Sequence, residues 1–139
     1  MGKALARTAM RMMVWLYRTS GGRIGGRMFG APLLLITTTG RRSGRPWTNP
    51  VMYQRDGDGY VVIASNSGSD RHPGWWLNLR HHPDATIQVG REIVKVTATR
   101  ASGAERERLL ALMTKAYKGF ADYETKTARK IPVVRLAPR

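Results

Sequence analysis

Cysteine is absent from this chain of 139 residues, which removes disulfides, zinc–thiolate sites and iron–sulfur clusters from consideration. Histidine is scarce. Only His72, His81 and His82 occur, and the adjacent pair points in different directions on any regular element, so no metal site is expected. Acidic residues are few, and none precedes Asp56, whereas Lys3 to Arg55 contribute ten basic residues. Long apolar runs are missing too. Arg11 and Arg18 confine the uncharged stretch of the N-terminal segment to six residues, too short for a bilayer span and unlike a cleaved signal peptide. No repeat or low-complexity tract is visible. There is no Walker loop, no Gly-x-Ser-x-Gly and no close carboxylate pair on an apolar strand. An enzyme with this inventory would rely on a bound cofactor for its reactive group.

What is present is positive charge, a formal +15. Such a field concentrates anions, and a nucleic acid, an anionic membrane surface or a polyanionic small molecule would each answer it. The charge has a focus in Pro32–Asn49. An apolar, β-branched run (Leu33 to Thr39) stops at Gly40, and a loop containing Arg41, Arg42, Ser43, Gly44 and Arg45 follows. Glycine lets a backbone approach a ligand closely, and paired arginines offer forked donors to phosphate or carboxylate oxygens. A strand delivering such a loop reads as an anion cradle. A solvated hairpin loop that happens to be basic is the alternative.

The chain divides at about residue 30. Residues 1–30 hold a helix over Ala4–Arg18 and a glycine-rich joint, Gly21–Gly26, and residues 31–139 form the main domain. On a helix, Arg7, Arg11 and Arg18 fall within a stripe about 40° wide, opposite Leu5, Ala9, Met12, Met13 and Leu16, with Trp15 and Tyr17 on the flanks. This pattern suits a helix lying at a membrane surface. It also suits a helix packed on a core with its basic side in water.

The main domain is mostly strand. Pro32–Thr39, Asn49–Arg55, Tyr60–Ser65, Ala85–Val89, Glu92–Thr99 and Ile131–Leu136 read as strands, and Asp56-Gly57-Asp58-Gly59 is a hairpin signal. Gly74–His81 reads as a short helix ending before Pro83. Ser102 opens another through a capping box with Glu105, and its apolar side is Leu109, Leu110, Met113 and Tyr117. A further short helix is expected around Phe120–Thr127. Strands without βαβ alternation predict a mainly β, α+β fold, an antiparallel barrel with flanking helices.

Two aromatic groups stand out. Trp75-Trp76 is an adjacent pair, of which one member borders a planar ligand, or else one lies in the core and the other under a loop. Tyr117, Phe120 and Tyr123 recur every three residues, as a pocket wall or as plain core. Ser65 ends a strand beside a polar loop, where its hydroxyl reaches a ligand or only shapes the turn.

In order along Pro32–Val134, Pro32-Leu-Leu-Leu-Ile-Thr-Thr-Thr-Gly-Arg-Arg-Ser-Gly, Asn49-Pro50, Asp56-Gly57, Ala64-Ser65, Pro73-x-Trp75-x-Leu-Asn78-Leu and Tyr117-x-x-Phe-x-x-Tyr123 ahead of Ile131-Pro132 resemble the deazaflavin-dependent nitroreductase family of actinobacteria. The resemblance implies a split β-barrel and coenzyme F420, a deazaflavin carrying a phosphate and an oligoglutamate tail. It implies Arg41, Arg42 and Ser43 on the phosphate. Trp47, Asn49, Pro50, Val51 and Met52 would line the cofactor. Ile63, Ala64, Ser65, Asn66, Gly74, Trp75, Trp76 and Asn78 would border the ring. Tyr117, Phe120 and Tyr123 would face the substrate, with Ser65, Tyr117 and Tyr123 as catalytic candidates. The implied reaction is hydride delivery to an electron-poor acceptor: a quinone, an enone, another activated double bond or a nitro compound.

Departures also occur. Phe120 stands where nitroimidazole-reducing members resemble one another in having tyrosine, which weighs against nitroimidazoles. Trp47 and Asn66 replace positions that can be basic. Two rival readings remain, an FMN-dependent split-barrel oxidoreductase and a basic binder of nucleic acid or another polyanion, for which no recognition motif is present. The expected location is cytoplasmic, with peripheral attachment to the inner face of the cell membrane open to the N-terminal helix.

Overall fold

The β-branched run after Pro32 forms a strand buried on both faces, and the rest of the molecule is arranged around it. In the computed structural model, which describes residues 2–28, 31–66, 70–117 and 130–139, this strand is β2 (Ala31–Thr39). Alternation sends Leu34 and Ile36 to one face and Leu33 and Leu35 to the other. Only a strand covered on both sides tolerates so continuous an apolar run.

Among the described residues there are eight strands: β1 (Arg27–Met28), β2, β3 (Pro46–Met52), β4 (Gln54–Asp56), β5 (Gly59–Ile63), β6 (Asp84–Val89), β7 (Glu92–Arg100) and β8 (Val133–Pro138). They form one antiparallel sheet in the order β1-β2-β6-β7-β8-β5-β4, with β3 paired to β2. The sheet curls into a half-barrel around a core of Leu34, Ile36, Tyr60, Val62, Ile87, Val96 and Leu136. Three helices among the described residues, α1 (Gly2–Ser20), α2 (Gly74–His81) and α3 (Gly103–Ala116), cover it. α2 plugs the core with Trp75, Trp76 and Leu79. α3 lays Leu109 and Met113 on the outer face of β5, against Val61 and Ile63.

Besides shifts of a few residues at element ends and the short β1, which was not expected, the predicted elements differ from the observed ones in five places. The strand expected over Asn49–Arg55 is two, β3 and β4: Tyr53 N–H still donates to its ladder partner Pro32 O at 3.3 Å, but Pro32 has no N–H to return, and from Gln54 the chain pairs with β5 instead. The last strand starts at Val133 instead of Ile131. Ser102 occupies the N-cap position of α3 but makes no side-chain cap bond. Glu105, its expected partner, is drawn to Arg108 at 2.7 Å. The Gly21–Gly26 joint is a hydrogen-bonded turn, with Gly22 N–H on Tyr17 O at 2.9 Å and Ile24 N–H on Ser20 Oγ at 2.9 Å.

The fifth difference is the face that α1 buries. Val14 and Tyr17 are buried, with Met10 and Met13 beside them, against Leu33 and Leu35. The Tyr17 hydroxyl accepts from Gly90 N–H at 2.9 Å and lies 2.9 Å from Leu33 O and 3.2 Å from Gln88 O. One phenol thereby ties the helix to β2 and to the β6–β7 turn, and its burial raises its pKa above the usual tyrosine value. Leu5, Met12 and Trp15 are left outward at 65%, 60% and 62% exposure. The helix expected over Phe120–Thr127, with Phe120 and Tyr123, lies outside the described residues.

Candidate functional site

The loop between β2 and β3 is closed by its own backbone. Gly40 N–H donates to Arg45 O at 2.8 Å and Gly44 N–H to Gly40 O at 2.9 Å. Gly44 takes φ +70, a left-handed conformation that side chains disfavour. Arg45 N–H donates to Ser43 Oγ at 3.2 Å. Gly40 has no room for a larger residue, since a Cβ there would come within 2.7 Å of Ser43 Oγ.

Asn78 on α2 fixes this loop to the barrel. Its Oδ1 accepts from Arg41 N–H at 3.1 Å and Arg41 Nη1 at 3.0 Å, while its Nδ2 donates to Thr38 Oγ1 at 3.0 Å. Asn78 and Thr38 are both buried, so their bonds form away from competing water. The order of causes runs from sequence to site: Trp75, Trp76 and Leu79 seat α2, α2 presents Asn78, and Asn78 orients Arg41.

A cavity of about 400 Å³ opens between this loop and α2. Arg41, Arg42 and Ser43 form one end, Trp47 and Asn49 of β3 one side, and Gly74, Trp75 and Asn78 the other. Met10 of α1 closes it from above, where Asn49 Nδ2 lies 3.6 Å from Met10 Sδ. Among the described residues no carboxylate forms an ion pair with Arg41, Arg42 or Arg45. Unpaired guanidinium at one end and an indole along the wall suit a ligand that is both planar and anionic.

Of the residues proposed from sequence, eight meet here: Arg41, Arg42, Ser43, Trp47, Asn49, Gly74, Trp75 and Asn78. Asn78 does so with its amide already engaged, so its effect is to position Arg41. Pro50, Val51 and Met52 continue along β3 outside this cavity, and Val51 and Met52 are half-buried against core side chains. Trp76 is a core residue outside this cavity, where the resemblance implied a ring neighbour, and its buried Nε1 has no hydrogen-bond partner among the described residues. Ile63 packs under α3, and Ala64 lies in the main core with its N–H on Pro132 O at 3.0 Å. Ser65 is buried just beyond β5. Asn66, at φ +47, turns its amide to Arg71 O at 3.0 Å. Tyr117 is half-buried against the α3 cluster. Phe120 and Tyr123 lie outside the described residues.

The reading of the sequence missed Thr38 and Met10. Thr38 was detectable, since it shares the buried face of β2 with Leu34 and Ile36 and a polar group there needs a partner. Met10 carried no such signal.

Comparison with known proteins adds four findings. Residues 9–138 match the family model of F420H(2)-dependent quinone reductases. An F420H(2)-dependent quinone reductase of Mycobacterium tuberculosis is 39% identical over 134 residues, covering 94% of this chain and 90% of the relative. A solved F420-H2 dependent reductase superposes with a TM-score of 0.71 at 37% identity, over 76% of this chain and 93% of that one. A second solved structure, described as a domain-swapped dimer, gives a TM-score of 0.73 at 30% identity over 98% of this chain and 99% of that one.

Proposed function

Because the chain belongs to the F420H(2)-dependent quinone reductase family, we propose that its deazaflavin sits in the cavity between the Arg41–Ser43 loop and α2. The chain is an F420H2-dependent oxidoreductase with a quinone-type acceptor; the proposal concerns where and how. One observation carries it: the cavity of about 400 Å³ presents at one end guanidinium groups without carboxylate partners among the described residues, and Trp75 along its wall. That donor set fits the cofactor, since a phosphate calls for fixed cations and a planar ring for an apolar, aromatic border.

In this reading Arg41, Arg42 and Ser43 hold the phosphate. Arg41 is pre-oriented by Asn78, so less freedom is lost when it binds. Trp75, Trp47 and Asn49 border the ring, and Met10 covers it from α1. When bound, the reduced deazaflavin supplies a hydride to the quinone. Proton delivery is assigned to Ser65, Tyr117 or Tyr123. Ser65→Ala, Tyr117→Phe and Tyr123→Phe separate them, because the donor's variant loses turnover while keeping cofactor affinity. The primary test mixes the protein with reduced F420 and a soluble naphthoquinone under anaerobic conditions. Oxidation of the deazaflavin at a rate proportional to enzyme is expected, and no enzyme-dependent oxidation contradicts the reading.

The acceptor's solubility bears on α1. No helix among the described residues is long and apolar enough to cross a membrane. Leu5, Met12 and Trp15 instead form an outward apolar face beside the basic stripe of Arg7, Arg11 and Arg18, on a segment without an acidic residue. This supports a helix that rests on an anionic membrane, where lipid quinones dissolve. Leu5→Ser with Met12→Ser should reduce co-sedimentation with anionic vesicles and leave turnover of a soluble quinone unchanged. Equal sedimentation of variant and parent would remove the membrane from this account.

A further inference from the structure

A cavity larger than the one assigned to the deazaflavin, of about 570 Å³, opens at the opposite end of β2. The two share no lining residue. From Leu33 to Thr39 the strand advances roughly 20 Å, so separate ligands can occupy them. The walls of the larger one are the turn at residues 22–26 with Arg23, Arg27 of β1, and the side chains of Tyr17 and Tyr53. Only glycine lets this turn fold back on itself. Gly25 takes φ +78, and a Cβ on Gly26 would strike Gly22 O. The turn thereby brings Arg23 and Arg27 to one hollow.

The hollow is electropositive. No carboxylate among the described residues forms an ion pair with Arg23 or with Arg91, whose side chain lies against Gly21 of the same turn. Gly22 N–H caps Tyr17 O at 2.9 Å, which offsets the carbonyl charge at this end of α1. Tyr53 stands edge-on to Tyr60, and its hydroxyl has no hydrogen-bond partner among the described residues. Burial pushes its pKa above the usual tyrosine value, and the nearby Tyr17 phenol adds to the rise, so it remains a donor at neutral pH. Two guanidinium groups and an unpartnered phenol match an oxyanion with several acceptors. A bare ion would leave most of 570 Å³ empty, and the remaining space lies beside tyrosine rings where an organic group can rest.

We propose that this hollow is a second anion site, distinct from the deazaflavin cavity, that takes an organic phosphate. Arg23 and Arg27 bind the phosphate oxygens, Tyr53 donates a further hydrogen bond, and the attached group lies along the tyrosines. Arginine suits the task because its forked donors meet phosphate in two parallel bonds. Such a phosphate has two sources, a soluble ester or the headgroup of an anionic lipid. Ile24, 54% exposed next to Arg23, is the apolar neighbour that a lipid surface would use. Either ligand would tie the turn to β1 and steady α1, whose Met10 covers the deazaflavin cavity.

The test is isothermal titration of the full chain with glycerol phosphate at constant ionic strength. Saturating F420 is present, so that the Arg41–Ser43 loop is already occupied; an Arg42→Ala background serves the same purpose if F420 does not bind. Saturable binding is expected. Arg23→Gln with Arg27→Gln should weaken it by roughly tenfold, the size expected of two part-exposed charge contacts, and leave F420 affinity unchanged. Arg23 makes no hydrogen bond or ion pair among the described contacts, so Arg23→Gln alone should fold like the parent and weaken binding roughly threefold. The double variant is then mixed with vesicles of phosphatidylglycerol in phosphatidylcholine. A matching loss of vesicle binding identifies the lipid headgroup as the source, and unchanged vesicle binding identifies the soluble ester. No saturable binding of glycerol phosphate by the native chain overturns the site. Equal affinity in parent and variants does so too, as does an equal loss of F420 and glycerol phosphate, which would mark a diffuse effect of charge.

Discussion

Two ends of the molecule handle the same residue, arginine, in opposite ways. At the β4–β5 hairpin, Asp56 accepts two bonds from Arg108 at 2.8 and 2.9 Å and one from Arg135 Nε at 2.9 Å. Glu105 and Asp58 complete the compensation, at 2.7 Å from Arg108 and 3.2 Å from Arg135. The two guanidinium groups hold the Asp56 carboxyl well below the usual carboxylate range. At the β2–β3 loop, Arg41, Arg42 and Arg45 have no such partners among the described residues, and α1 adds Arg11 and Arg18 beside them. Positive charge that serves the fold is neutralised by the fold. Charge left uncompensated around a cavity raises the energy of the empty protein and favours an anionic ligand.

The comparison breaks most visibly at the residue joining loop to barrel. Asn78→Ala leaves Arg41 N–H and Thr38 Oγ1 without their partner and opens a small void, so it should cost about 2–3 kcal/mol of stability. It should weaken cofactor binding as well, and denaturant melts run beside F420 titration separate the two effects. Arg42→Ala comes next. Losing one charge-assisted contact should weaken F420 binding by roughly 1.5–3 kcal/mol with no change in melting temperature. An unchanged dissociation constant would take the loop out of the site.

Asp56→Asn is the mirror experiment and the smallest effect. It should lower stability by about 1–2 kcal/mol, discounted because Arg108 is half exposed, and leave F420 affinity unchanged. Its pH dependence has a definite sign. The folded carboxyl titrates below its unfolded value of roughly 4, so its contribution is present above that value and fades as the pH falls toward the folded pKa. Native and variant stabilities should therefore converge on acidification below about pH 4. A gap that persists or widens there would show that Asp56 does not act through its charge.

How much of this could be read from sequence follows the range of the interactions. The α2 bounds, the β2 run and the Asp56–Gly59 hairpin depend on local patterns, and they were legible. The Arg41–Arg42–Ser43 end of the cavity was legible too, because glycine-bounded arginines after a strand are a local signal. The buried face of α1 was not. Apolar side chains run nearly all round that helix, and the choice among them is made by Tyr17, whose hydroxyl contacts β2 and a turn 73 residues away. The failed cap at Ser102 has the same origin. Glu105 had a better partner in Arg108, itself held by Asp56 from a distant hairpin. Asn78 was selected as a ring neighbour, but its role in gripping the loop depended on Thr38, forty residues earlier.

The central claim is that the uncompensated arginine end of this molecule is the cofactor site, and one titration tests it most directly. Tryptophan fluorescence should be followed as F420 is added, beside FMN, at two salt concentrations. Trp75 and Trp47 line the cavity, so saturable quenching by F420 is predicted, stronger than by FMN and weakened by salt. No saturable quenching by F420, or equal quenching by FMN, would contradict the account.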